Sequence, residues 1–149
     1  MKLFHASLEG AQHGDKSLDE LIVFAKNAGA VGVQPSNFNL QSNPDGTLMS
    51  AESVKQIFEQ HPGFKLDGIS AHCPLWVHTS AWTGTKTIRP FIPAQLLTES
   101  PANVEKWMET YILKLLDLAA ELGVKVVPMG GCLWLGSCHR LSLGFVIRA

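Results

Sequence analysis

His72 is the residue best placed to do chemistry. It closes the apolar run Gly68-Ile69-Ser70-Ala71-His72, so a strand there ends on an imidazole. With an unperturbed pKa of about 6.5, such a histidine can bond a hydroxyl or move a proton near neutral pH. His5, in the run Leu3-Phe4-His5-Ala6, offers the same chemistry at the end of an earlier strand. Gln34 ends Ala30-Val31-Gly32-Val33-Gln34; its amide can hold hydroxyls but cannot act as a base. Trp76 and Trp82 lie just beyond His72 and offer flat apolar faces for stacking. Each also has a plainer use, as a histidine satisfied by backbone or water, a polar strand end, or a loop anchor.

Other chemistries lack their spacing. Neither His72, Cys73 and His78 nor Cys132, Cys138 and His139 shows the paired close spacing of a structural zinc site. Gly84-Thr85-Lys86-Thr87 breaks the order a phosphate loop needs, and Gly29 with Gly32 makes no dinucleotide fingerprint. No serine nucleophile elbow and no carboxylate pair at a defined spacing stands out.

The elements that must position these residues are legible from punctuation. Ser17-Leu18-Asp19-Glu20 fits a capping box, Leu21, Phe24, Ala25 and Ala28 recur at helical spacing, and Gly29 stops the helix. A second helix starts near Ser50, carries Val54, Ile57 and Phe58, and ends at His61-Pro62-Gly63. Ser100 and Pro101 open a third, whose stripe is Val104, Trp107, Met108, Tyr111, Leu115, Leu118 and Leu122, with Gly123 closing it. Apolar runs at 3–6, 30–34, 68–72 and 124–129 alternate with these helices. The order β-α-β-α-β-α-β predicts an α/β fold with a parallel sheet. Turns from helix into strand are tight, whereas the connections leaving strands, 35–49 and 73–99, are long. Long loops in a compact domain are usually functional, and these fall at the carboxyl ends of the strands, where such folds build their sites.

Composition narrows the class. The chain has 149 residues with 46% hydrophobic and 17% charged, which excludes a disordered or collagen-like chain. Its 12 Lys and Arg against 13 Asp and Glu give a net charge of −1, the wrong balance for a nucleic-acid binder. No run reaches the roughly 18 apolar residues of a membrane span, and the opening Met-Lys-Leu-Phe-His is too short for a signal-peptide core. Cys73, Cys132 and Cys138 cannot all pair, so free thiols and a cytoplasmic location are expected.

Taken in order, Ser17-Leu18-Asp19-Glu20-Leu21, Gly29-Ala30-Val31-Gly32-Val33-Gln34, Leu66-Asp67-Gly68-Ile69-Ser70-Ala71-His72 and Ser100-Pro101-Ala102-Asn103-Val104 running to Leu122-Gly123-Val124-Lys125-Val126-Val127 resemble the sugar phosphate isomerase/epimerase family. These are xylose isomerase-like (β/α)8 TIM barrels, and the resemblance covers residues 1–129. It implies a truncated barrel of about four βα units with His72 as a catalytic residue and His5, Gln34 and Trp76 binding a sugar or sugar phosphate. Gln34 stands where many members carry a glutamate. The family's divalent metal, Mn²⁺ or Mg²⁺, is held by Glu, Asp and His of later strands, so none is expected on this chain. The expectation is a fragment of an isomerase or epimerase, inactive by itself; the alternative is a small doubly wound α/β binding or interaction domain.

Residues 130–149 depart from the family, with no acidic residue and no periodicity. One permitted codon set for 131–140, read one base later, spells Val-Ala-Phe-Gly-Trp-Glu-Val-Ala-Thr, which looks like the family's continuation, so a frame-shifted tail is expected. Open strand edges and bare apolar strand faces would drive self-association.

Overall fold

Ser17 starts the first helix as its spacing requires. Its hydroxyl accepts from the Glu20 N–H, and the Glu20 carboxylate accepts in return from the Ser17 N–H at 2.9 Å. These bonds, the backbone one foremost, hold the Glu20 carboxyl below its ordinary range. In the computed structural model, which describes residues 6–42, 45–72, 93–128 and 146–147, this helix is α1, Leu18–Asn27. Ser50 caps α2, Ala51–Glu59, and Ser100 caps α3, Pro101–Glu121, with proline in the first turn. Gly29 and Gly123 take φ of +82° and +69° just beyond α1 and α3, a conformation that other residues adopt only with strain.

The strands are short. β1 is Ser7–Glu9, β2 Gly32–Gln34 and β3 Lys65–Leu66, and they form a parallel sheet in the order β1-β2-β3. Leu8 pairs with Val33 and Val33 with Leu66. Past β3 the chain keeps to β2: Ser70 donates its N–H to the Pro35 carbonyl and bridges Ser36. The Ala71 N–H then reaches the Pro128 carbonyl at 2.9 Å, which ties this segment to β4, Val127–Pro128. β4 pairs antiparallel with β5, Val146–Ile147, the one described piece of the tail.

The α/β class and the parallel pairing of the first three strands are as expected, but β4 does not extend that ladder: it belongs to the antiparallel β4-β5 pair, and the strand bounds also differ. The first strand does not end at His5; it runs on to Glu9, four residues further, its described part being Ser7–Glu9, and His5 itself lies outside the described residues. The regular part of β3 precedes the expected 68–72, because the ladder is interrupted at Gly68, where the missing side chain makes room for Gln34. β4 starts later than the expected 124, since the Val124 N–H is still bonded to the Ala119 carbonyl at the end of α3.

Alternation along the strands sorts their faces. Leu8, Val33 and Leu66 face one core with Leu18, Leu21, Ile22 and Ala25 of α1, Val54 of α2, and Met108, Tyr111 and Leu115 of α3. Ser7, Glu9, Gln34, Lys65 and Asp67 take the other face. The expectation of bare apolar strand faces is therefore corrected for β1 to β3: the uncovered face is polar. There Ser7 donates to Asp67 across β2, above Gly32, where any Cβ would come within 2.9 Å of the Lys65 carbonyl oxygen.

His61, half-buried beyond α2, ties the two helices together. Its Nε2 lies 2.7 Å from Asp19 Oδ1, and its Nδ1 lies 3.1 Å from Lys26 Nζ. That geometry fits a neutral ring donating to Asp19 and accepting from Lys26. His61→Ala removes both bonds and should lower stability by about 1–2 kcal/mol in urea unfolding. An unchanged midpoint would mean that these contacts are solvated equivalents of the unfolded chain's.

Candidate functional site

The carboxyl ends of β1 and β2 and the segment after β3 bring a polar cluster together. Glu9, the last residue of β1, reaches across β2: its Oε1 accepts from the Ser70 hydroxyl at 2.7 Å and from the Ala11 N–H at 2.9 Å. His72 Nε2 lies 3.5 Å from the same oxygen. Both side chains remain open to solvent, Glu9 at 44% and His72 at 34%. Gln34 pairs with Glu9 in the ladder, half-buried against Gly68, and its carbonyl accepts from the Gly10 N–H.

The loop after β2 holds this edge in place. Pro35 leads into Ser36, Asn37 and Asn39, all buried although polar. Asn39 Oδ1 accepts from the Ser36 N–H and hydroxyl, while its Nδ2 donates to the carbonyls of His13 and Lys16. This amide latches the β1–α1 connection to the β2–α2 connection. Asn37 links β2 to the segment after β3: its N–H donates to the Ser70 carbonyl, and its Oδ1 accepts from the His72 N–H at 2.7 Å. Its Nδ2 is buried and has no partner among the described residues. A buried amide donor without a partner costs about 1–3 kcal/mol, so it marks a place where an acceptor is wanted.

Of the residues singled out by sequence, His72 and Gln34 stand at this edge. Trp76, Trp82 and most of the 73–99 loop lie outside the described residues, as does His5. Sequence reasoning missed Glu9, Ser70, Asn37 and Asn39. The alternation Ser7-Leu8-Glu9 followed by Gly10 was the one available signal for Glu9, and a single apolar residue makes it faint. Of the donor types a divalent metal takes, Glu9 and His72 stand together here, and among the described residues no three His, Cys, Asp or Glu side chains cluster to hold an ion.

A concavity of about 940 Å³ runs along α3, opposite the 45–51 segment. Trp107, stacked on Tyr111 at 4.9 Å, lines it with Gly46, Leu96 and Lys114. Gln41 bonds the Tyr111 hydroxyl, so the loop after β2 reaches this side too. None of the residues of the carboxyl-edge cluster lines this groove.

Among the described residues no helix is long and apolar enough to cross a membrane. No family model and no curated protein matches the chain.

Proposed function

We propose that the chain supplies the first four strand–helix units of a (β/α)8 barrel of the sugar phosphate isomerase/epimerase type, and that its own part is to form one wall of the sugar site. The observation that carries this reading is the convergence of Glu9, Ser70 and His72 at the carboxyl edge of the parallel strands. A carboxylate that only accepts beside an imidazole that donates or accepts suits adjacent hydroxyls, each of which does both. The consecutive parallel order β1-β2-β3 is compatible with barrel winding and equally with the 3-2-1 half of a doubly wound sheet. Isomerisation or epimerisation belongs to the complete enzyme. The alternative, an α/β interaction domain without catalysis, draws its support from the groove along α3.

Saturation-transfer NMR with D-xylose and D-fructose tests the reading and tolerates an oligomeric sample. Sugar protons should take up saturation from the chain, and His72→Ala should remove most of it. The sugars should exchange no carbon-bound proton with D₂O on this chain alone. Absence of saturation, or saturation untouched by His72→Ala, would overturn the assignment of this edge.

A further inference from the structure

Glu9 is held more firmly than a solvent-exposed glutamate needs to be. Two donors, the Ser70 hydroxyl and the Ala11 N–H, occupy Oε1, and His72 Nε2 stands 3.5 Å from it. The two lone pairs of that oxygen are thereby filled, while Oε2 has no partner among the described residues. A long side chain fixed in advance spares a ligand the cost of ordering it. The fixed group is an acceptor with negative charge, and no lysine or arginine among the described residues shares its contacts. Asn37, whose Oδ1 holds the His72 N–H, adds a buried Nδ2 without an acceptor among the described residues.

We infer that Glu9 is the anchoring residue of this edge, and that with His72 it takes an uncharged vicinal diol in preference to a phosphate group. One hydroxyl donates to Glu9 Oε2 and its neighbour meets the His72 ring. A phosphate would bring two negative charges against a carboxylate, with no lysine or arginine among the described residues at Glu9 to offset them. The inference rests on the carboxyl edge being the sugar-binding face, and it assigns that face to the neutral end of the ligand.

Acylation of the full chain by diethyl pyrocarbonate, mapped by peptide mass spectrometry, reads the site at His72, with His13 and His61 as internal references. D-Xylose should slow acylation of His72 alone, whereas 1,3-propanediol and inorganic phosphate should not. Glu9→Gln should raise the xylose concentration needed for protection about tenfold, the loss of one charge-assisted bond. If that variant unfolds, Glu9→Asp keeps the charge, withdraws it by one methylene and should lose protection likewise. Protection unchanged in the folded variant would remove Glu9 as anchor while leaving the sugar reading intact. Protection by phosphate would overturn the ligand class. No protection by xylose would overturn the inference, and only together with absent saturation transfer would it remove the sugar site.

Discussion

Asn39→Asp should lower the stability of the chain by about 3 kcal/mol, although it changes one side-chain group for another of the same size. Asn39 is 1% exposed, and both ends of its amide are in use. The substitution keeps the acceptor toward Ser36 but removes the two donors that satisfy the His13 and Lys16 carbonyls, at 2.8 and 2.9 Å. A carboxylate would then face two carbonyl oxygens in a place closed to water, and each lost bond costs about 1–2 kcal/mol. Asn39→Ala should cost about as much, because the Ser36 N–H, the Ser36 hydroxyl and the Lys16 carbonyl lose their partner at once and the His13 carbonyl keeps only the Lys16 N–H. For a chain of this size the shift in melting temperature is roughly 10 °C. Thermal unfolding by circular dichroism measures it, and a shift of a degree or two would show that the latch is replaceable by water.

Gly10→Ala should cost about 2–3 kcal/mol for a steric reason at the same latch. Gly10 has an ordinary φ of −85°, so backbone strain is not at issue; space is. An added Cβ would meet Asn39 Oδ1 at 2.5 Å, Leu21 Cδ2 at 2.9 Å and the Pro35 Cα at 3.0 Å. The last is backbone and cannot swing aside, so β1 and the loop after β2 must separate, at a cost typical of overpacking. Since one clash is with Asn39 itself, the two substitutions should not add. In the Asn39→Ala background Gly10→Ala should cost about 1 kcal/mol less than alone, the coupling expected of residues in contact. Strict additivity in urea titrations would mean that Pro35 and Leu21 alone set the limit.

The helices were legible because their signals are local. Ser17 with Glu20, Ser50, and Ser100 with Pro101 each satisfy orphan backbone groups within a few residues, and each cap stands where its residues placed it. The strands were less so. Periodicity of two needs four or more residues to register, and Ser7–Glu9 holds one apolar residue, so the stronger run at 3–6 drew the assignment. That assignment hid Glu9, whereas Gln34 could be found as a strand end and His72 as the end of an apolar run. Asn37 and Asn39 read as turn formers in a loop rich in Asn and Ser; their burial is a tertiary fact, created by β1, α1 and the segment after β3 closing around them.

Both the sugar-site reading and its Glu9 anchor depend on the carboxyl edge being the working face, with the groove along α3 a separate surface. Hydrogen–deuterium exchange of the intact chain, with and without D-xylose, distinguishes them directly. Protection should appear at Gly10 and Ala11, whose amides lie at the end of β1, and across Ser70, Ala71 and His72, with Trp107 to Lys114 unchanged. Protection confined to the α3 groove, with the Glu9 and His72 segments unmoved, would contradict it.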